Sequence, residues 1–291
     1  MAIGRNWPSA GPRWRRAGFA TAVMVGMAGL VAAQFEFAAG GTTHDIYRAG
    51  SGPAVLVLAE MPGITPRVLA FARRVVNLGC TAVLPHLFGQ PGRPPSAAYA
   101  ARSLVEVCIS REFSGMALGR SSPVIAWLRA LAATEHERCS GPGVGVVGMC
   151  YTGGFGLAMT VENAVVAPVL SQPSLPFALG AARKSDIQIS ATDWARIQSR
   201  AQDEGLCVLG LRFTGDKLVP KERFQMLRDK LGDRFIGVEL DSSPGNRHGH
   251  QRVAHSVLTE HLDDREGTPT RAALDQVLEF LGSRLGVTAA R

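Results

Sequence analysis

Beyond residue 50 the chain alternates short apolar runs with longer segments in which apolar side chains recur every three or four positions. The runs are PAVLVLAE (53–60), TAVLP (81–85), GVGVVGM (143–149), AVVAPVL (164–170), LCVLGLRF (206–213) and FIGVEL (235–240). Each has the length of a strand, and their lack of strict alternation predicts strands covered on both faces. Helical spacing marks 67–79, stopped by Gly79, and 121–133, with Ser122 as N-cap and Pro123 in the first turn. It also marks 155–163, 192–202, 221–232 with cationic residues toward its end, and 270–285.

Strand and helix in this order and spacing predict βαβ units, hence an α/β fold with a mostly parallel central sheet and helices on both faces. Segments 86–100 and 241–268 read as long irregular loops, which in a compact domain are usually functional. Ligands of open parallel sheets bind at the carboxyl ends of the strands. That rule singles out Glu60, His86, Cys150, Asp216 and the histidines after 235–240.

With 46% apolar and 19% charged residues among 291, the chain is an ordinary globular one. A formal charge of +7 invites a nucleic-acid reading, but its distribution argues otherwise. Residues 1–33 hold Arg5, Arg13, Arg15 and Arg16 and no acid, which is more than half of the excess. The rest intersperses acids and bases with no basic stripe, so nucleic-acid binding is excluded. Within the first 33 residues, GPRWRR precedes AGFATAVMVGMAGLVAA. This reads either as a signal-like segment or as an upstream extension with the start at Met24 or Met27. Its Gly and Ala content and its length argue against stable membrane insertion. The expected plan is therefore an N-terminal segment, 1–33, and one α/β domain, 34–291. The expected location is cytoplasmic, or exported if the first segment is a signal.

The five cysteines (Cys80, Cys108, Cys139, Cys150, Cys207) are odd in number and widely spaced, with no CxxC, as expected of reduced thiols. Cys150 stands apart. VGVVGMCYTGG places it at a strand-to-helix junction framed by glycines, as in a nucleophile elbow, although Thr152 stands where a glycine is usual. A lone cysteine is ordinarily inert packing; the glycines and the junction favour a nucleophile with a helix N-terminus beyond it. An acid and a histidine are then expected downstream in that order. Asp216 follows a strand in LGLRFTGDKLVP, and segment 239–262 supplies His248, His250, His255 and His261. A metal centre is the competing account of four histidines, but none of them has ligand spacing on a defined helix, and no metal is expected.

Four stretches, LAEMPGITP (58–66), GMCYTGGF (148–155), TGDKLVP (214–220) and AHSVLT (254–259), make the sequence resemble the dienelactone hydrolase family of α/β-hydrolases over about residues 45–285. The resemblance implies a Cys-His-Asp triad with Cys150 as nucleophile and Asp216 as acid. Its histidine is His255 by the HS pair and the distance to the last helix, or His248 by its distance from Asp216 and the glycine after it. It also implies that Glu60 helps generate the thiolate and that the backbone N–H groups of Met61 and Tyr151 form an oxyanion hole. The implied substrate is a small-molecule ester or lactone, cleaved without a cofactor by an enzyme of the carboxymethylenebutenolidase type. Family members grip a substrate carboxylate with cationic residues. Arg111 and Arg120 are candidates here, though neither falls on a family motif. The same fold could instead serve a thioesterase or acyltransferase, a thiol redox sensor or a non-catalytic binding domain.

Overall fold

A computed structural model describes residues 13–15, 30, 32–109, 122–139, 141–175 and 184–287. Its strands are β1 (Arg13–Arg15), β2 (Ala33–Ala39), β3 (Thr42–Gly50), β4 (Ala54–Leu58), β5 (Thr81–Pro85), β6 (Val144–Met149), β7 (Val165–Ser171), β8 (Val208–Phe213) and β9 (Phe235–Leu240). The helices are α1 (Pro66–Asn77), α2 (Ala97–Ile109), α3 (Pro123–Cys139), α4 (Gly153–Met159), α5 (Ala191–Asp203), α6 (Lys221–Leu231) and α7 (Pro269–Leu285). All nine strands join one sheet in the order β1-β2-β3-β5-β4-β6-β7-β8-β9. From β5 onward every pairing is parallel, whereas β1, β2 and β3 extend the sheet antiparallel. This is the expected α/β-hydrolase architecture, a mostly parallel sheet covered on both faces.

Alternation along each strand sends successive side chains to opposite faces. Leu56, Leu58, Val83, Val144 and Val146 pack on the face covered by α3, α4, α5 and α6, around Trp127, Phe155, Ile197 and Phe224. Val55, Val57, Val147, Leu209 and Leu211 pack on the opposite face under α1 and α7, against Leu69, Phe71, Leu274 and Leu281. β4, β5, β6 and β8 are buried along their whole length, which is why they read as unbroken apolar runs.

The structure differs from the sequence-based expectation at β2 and β3, at α2, at Ser122 and at α4, which ends at Met159 rather than near 163. β2 and β3 carry no apolar run, because they lie at the antiparallel side and keep many positions half-exposed. α2 begins at Ala97, inside the segment expected to be loop. Ser122 precedes α3 and its carbonyl accepts from Ile125 and Ala126, but among the described residues its buried hydroxyl makes no hydrogen bond, so it caps with its backbone. Among the described residues, no helix is long and apolar enough to cross a membrane. The signal-like reading of 1–33 falls almost wholly outside the described residues. Residues 13–15 pair with 36–38 of β2.

Candidate active site

Parallel register brings the chemistry-bearing residues to one edge of the sheet. Leu58 of β4 is opposite Gly148 of β6, Met149 is opposite Ser171 of β7, and Phe213 of β8 is opposite Leu240 of β9. Glu60 and Met61, Cys150 and Tyr151, Gln172 and Ser174, and Asp216 therefore all follow the carboxyl ends of neighbouring strands, where βα connections build sites.

Cys150 opens a single 3₁₀ turn, Cys150–Thr152, between β6 and α4. Its φ is 55°, in the left-handed region that a residue with a side chain occupies at a cost of roughly 1–2 kcal/mol. Strain of this kind persists only where the surroundings over-determine it. Two glycines supply the space for the turn. A Cβ on Gly148 would come within 3.0 Å of Gly153 Cα and closer still to the Thr152 carbonyl oxygen. A Cβ on Gly153 would sit 2.6 Å from Pro173 Cα. Thr152, which departs from the usual glycine, faces the end of β4. Its buried hydroxyl accepts from Met149 N–H at 2.9 Å and lies 2.8 Å from the Leu58 carbonyl, tying the turn to the neighbouring strand.

Asp216 is buried. Its Oδ1 accepts from Leu218 N–H at 2.9 Å, which fixes the carboxylate and leaves Oδ2 for His255 Nδ1 at 2.6 Å. With a carboxylate oxygen as partner, Nδ1 carries the proton and Nε2 is the free basic nitrogen. Nε2 is buried and makes no hydrogen bond of good geometry among the described residues. Cys150 is its neighbour on that side. Burial pushes the His255 imidazolium down, but the charge of Cys150 and the bond to Asp216 outweigh burial, so its pKa stands well above the ordinary 6.5. His248, the alternative, is an exposed turn residue whose Nε2 accepts from Arg247 Nε at 2.8 Å. The structure thus brings His255, and not His248, to Asp216 and Cys150.

Glu60 is 3% exposed, yet it does not reach the sulfur. Its carboxylate accepts from Gln172 Nε2 at 3.1 Å, Ser256 Oγ at 2.6 Å and Thr259 Oγ1, with no bond to Cys150 among the described residues. These bonds fasten the segment that carries His255. Met61 and Tyr151 each stand three residues beyond the paired Leu58 and Gly148, Tyr151 within the cysteine turn and Met61 after the adjacent strand. Arg111 and Arg120 lie outside the described residues.

Several neighbours are assigned no role by the sequence. Ser174 Oγ lies 3.0 Å from Cys150 Sγ, brought there by the β6–β7 crossover. Gln172, buried and at φ 37°, accepts from Val257 N–H at 3.3 Å while donating to Glu60. His261 Nδ1 accepts from the backbone N–H groups of Ser256 at 3.1 Å and His255 at 3.4 Å. Burial and the nearby His255 charge hold His261 below 6.5, in the neutral form that such acceptance requires. Arg223, fully buried, donates from Nη1 to the carbonyls of Pro173 and Leu218, both at 2.8 Å, and so links the Ser174 and Asp216 loops. Burial lowers its pKa to about 10 against the opposing charges of Asp186 and Asp216. The cluster of four histidines reduces to His255 at the site and His261 behind it. Among the described residues no group of three or more His, Cys, Asp or Glu is placed to hold a metal ion.

The family model of the dienelactone hydrolases matches residues 45–284. No curated protein matches the chain. Among solved structures, a Klebsiella pneumoniae subsp. pneumoniae MGH 78578 protein assigned as a dienelactone hydrolase superposes with a TM-score of 0.59 at 17% identity, covering 87% of this chain and 98% of its own. A cold-adapted esterase from an Arctic intertidal metagenomic library gives 0.54 at 16% identity, covering 88% and 94%. The dienelactone hydrolase-like promiscuous phosphotriesterase P91, from metagenomic libraries, gives 0.54 at 19% identity, covering 86% and 98%. At these identities the structural likeness speaks for the fold.

Proposed function

Because the chain belongs to the dienelactone hydrolase family, we propose that it hydrolyses carboxylic esters or lactones through a thiol nucleophile, Cys150, served by His255 and Asp216. The observation that carries this reading is the strained Cys150 turn, facing an imidazole whose far nitrogen is held by Asp216 at 2.6 Å. A carboxylate–imidazole pair beside a nucleophile on a sharp turn is the arrangement that activates acyl transfer.

In the proposed cycle the Cys150 proton passes to His255 Nε2, and the thiolate attacks the carbonyl carbon. The oxyanion takes hydrogen bonds from the backbone N–H groups of Met61 and Tyr151. Collapse breaks the C–O bond, and His255 returns its proton to the leaving alkoxide. A water deprotonated by the same Nε2 then splits the thioester and releases the acid. Asp216 keeps the ring in the Nδ1–H tautomer throughout and steadies the imidazolium. No step calls on a cofactor.

Glu60 acts in this reading through the chain it holds, since its bonds to Ser256 and Thr259 flank His255. The substrate class is a small ester or lactone, extending to a dienelactone in the manner of carboxymethylenebutenolidase. The test is a panel of activated esters, a thioester, a phosphotriester and a dienelactone, assayed with wild type, Cys150→Ala and iodoacetamide-treated enzyme. Loss of hydrolysis on both treatments is expected, and the ranking of substrates names the class. Hydrolysis that survives Cys150→Ala refutes the thiol mechanism.

A further inference from the structure

One polar group touches the sulfur and has no part in the cycle above. Ser174 Oγ is 3.0 Å from Cys150 Sγ, a close approach for an atom as large as sulfur. The backbone that carries it is held from several sides. Ser174 N–H donates to the Cys150 carbonyl at 2.9 Å, Pro173 packs against Gly153, and the Pro173 carbonyl accepts from Arg223. Ser174 is buried, and among the described residues its hydroxyl has no other partner. A buried hydroxyl without an acceptor of its own carries a desolvation penalty. Turned toward a thiolate, it makes a charge-assisted bond, stronger than a neutral one.

We propose that Ser174 is a further catalytic residue whose hydroxyl donates a hydrogen bond to the Cys150 thiolate and holds the charged sulfur in line for attack. The proposal rests on Cys150 being the nucleophile. No covalent bond to the serine is formed. The thiol proton goes to His255 Nε2, Ser174 keeps its own proton, and a sulfur electron pair becomes the new C–S bond. As charge moves to the carbonyl oxygen, the serine bond weakens.

A hydrogen bond to a thiolate raises the thiolate fraction and lowers the nucleophilicity of each thiolate, with a Brønsted coefficient of about 0.4–0.5. Its removal therefore has a signature that mere disruption lacks. The experiment follows the rate of iodoacetamide alkylation of Cys150, located by mass spectrometry, from about pH 5 to pH 10 in wild type, Ser174→Ala and Ser174→Thr. In Ser174→Ala the midpoint of the profile moves up by about one pH unit. The acid limb is then about threefold slower and the alkaline plateau about threefold faster, so the profiles cross. Ser174→Thr keeps a hydroxyl and restores the wild-type midpoint. An unmoved midpoint in Ser174→Ala, or limbs that fall together, overturns the proposal. Ester hydrolysis is measured on the same samples. If enzyme fully alkylated at Cys150 still turns over, the nucleophile assignment fails and Ser174 loses its catalytic role, even if the profiles cross.

Discussion

Replacing Gly148 by alanine tests whether the cysteine turn is as tightly specified as its geometry implies. The added Cβ would lie 3.0 Å from two carbon atoms, Gly153 Cα and Thr152 C, and nearer still to the Thr152 oxygen. All three belong to backbone, so no side chain can rotate away. Carbon atoms pack best at about 3.5–4.0 Å, so the turn has to open by roughly 0.5–1 Å. Overpacking of this kind costs about 1–3 kcal/mol, and a shift of that size in a reacting atom lowers kcat/KM by about 100-fold. The control is eight residues away on the same turn-and-helix unit. A Cβ on Gly156 of α4 meets nothing nearer than 3.4 Å, and alanine is the better helix former by about 1 kcal/mol. Urea unfolding and ester hydrolysis are measured on both variants. Gly148→Ala loses stability and most activity, whereas Gly156→Ala keeps its activity and is at least as stable as wild type. Equal damage in the two, or an unaffected Gly148→Ala, would refute the steric account of the elbow.

Three further outcomes follow from the site. Cys150→Gly, free of the left-handed penalty, unfolds at higher urea than Cys150→Ala by about 1 kcal/mol, and equal midpoints would show that the φ of 55° stores no strain. In Cys150→Ala the largest influence raising the His255 pKa disappears, so its NMR titration midpoint falls; an unchanged midpoint would separate the imidazole from the sulfur. His261, held below 6.5 in the folded state, contributes stability that is complete above 6.5 and is lost as pH falls through its depressed folded value. His255, raised when folded, has the opposite sign, so its contribution is complete below 6.5 and is lost as pH rises through the folded value. His261→Gln accordingly flattens the acid side of a stability–pH profile, measured from about pH 7.5 to 5 by urea midpoint, and a profile of unchanged slope there would rule out the backbone-capping role.

The parallel part of the sheet is legible in the sequence because strands such as β4 and β6 are buried on both faces and so consist of little but apolar residues. The antiparallel strands β2 and β3 are not, since half-exposed positions such as Phe35, Glu36 and Asp45 break up the buried ones, Phe37 and Ile46. Cys150 and Asp216 are marked by local chemistry, a glycine frame and a strand-end carboxylate. The choice between His255 and His248 is not local. It depends on where the 28-residue connection between β9 and α7 folds back to the end of β8, where His255 rather than His248 meets Asp216. Ser174 and Gln172 have no motif at all, and His261 is marked only as one of a group of histidines. They reach the site through strand register and a loop return, which are properties of the assembled chain.

The bonds from Glu60 to Ser256 and Thr259 join residues 196 and 199 positions apart in the chain. Closing so long a loop costs more chain entropy than any local turn, and contacts of such sequence separation come late in folding. In refolding from urea, circular dichroism therefore recovers with the sheet, while hydrolysis waits for the moment when the last connection snaps onto the first parallel strand. Under the proposed mechanism, hydrolysis becomes a timer for the final step of folding, and a newly made chain carries a quiet Cys150 until that step is complete.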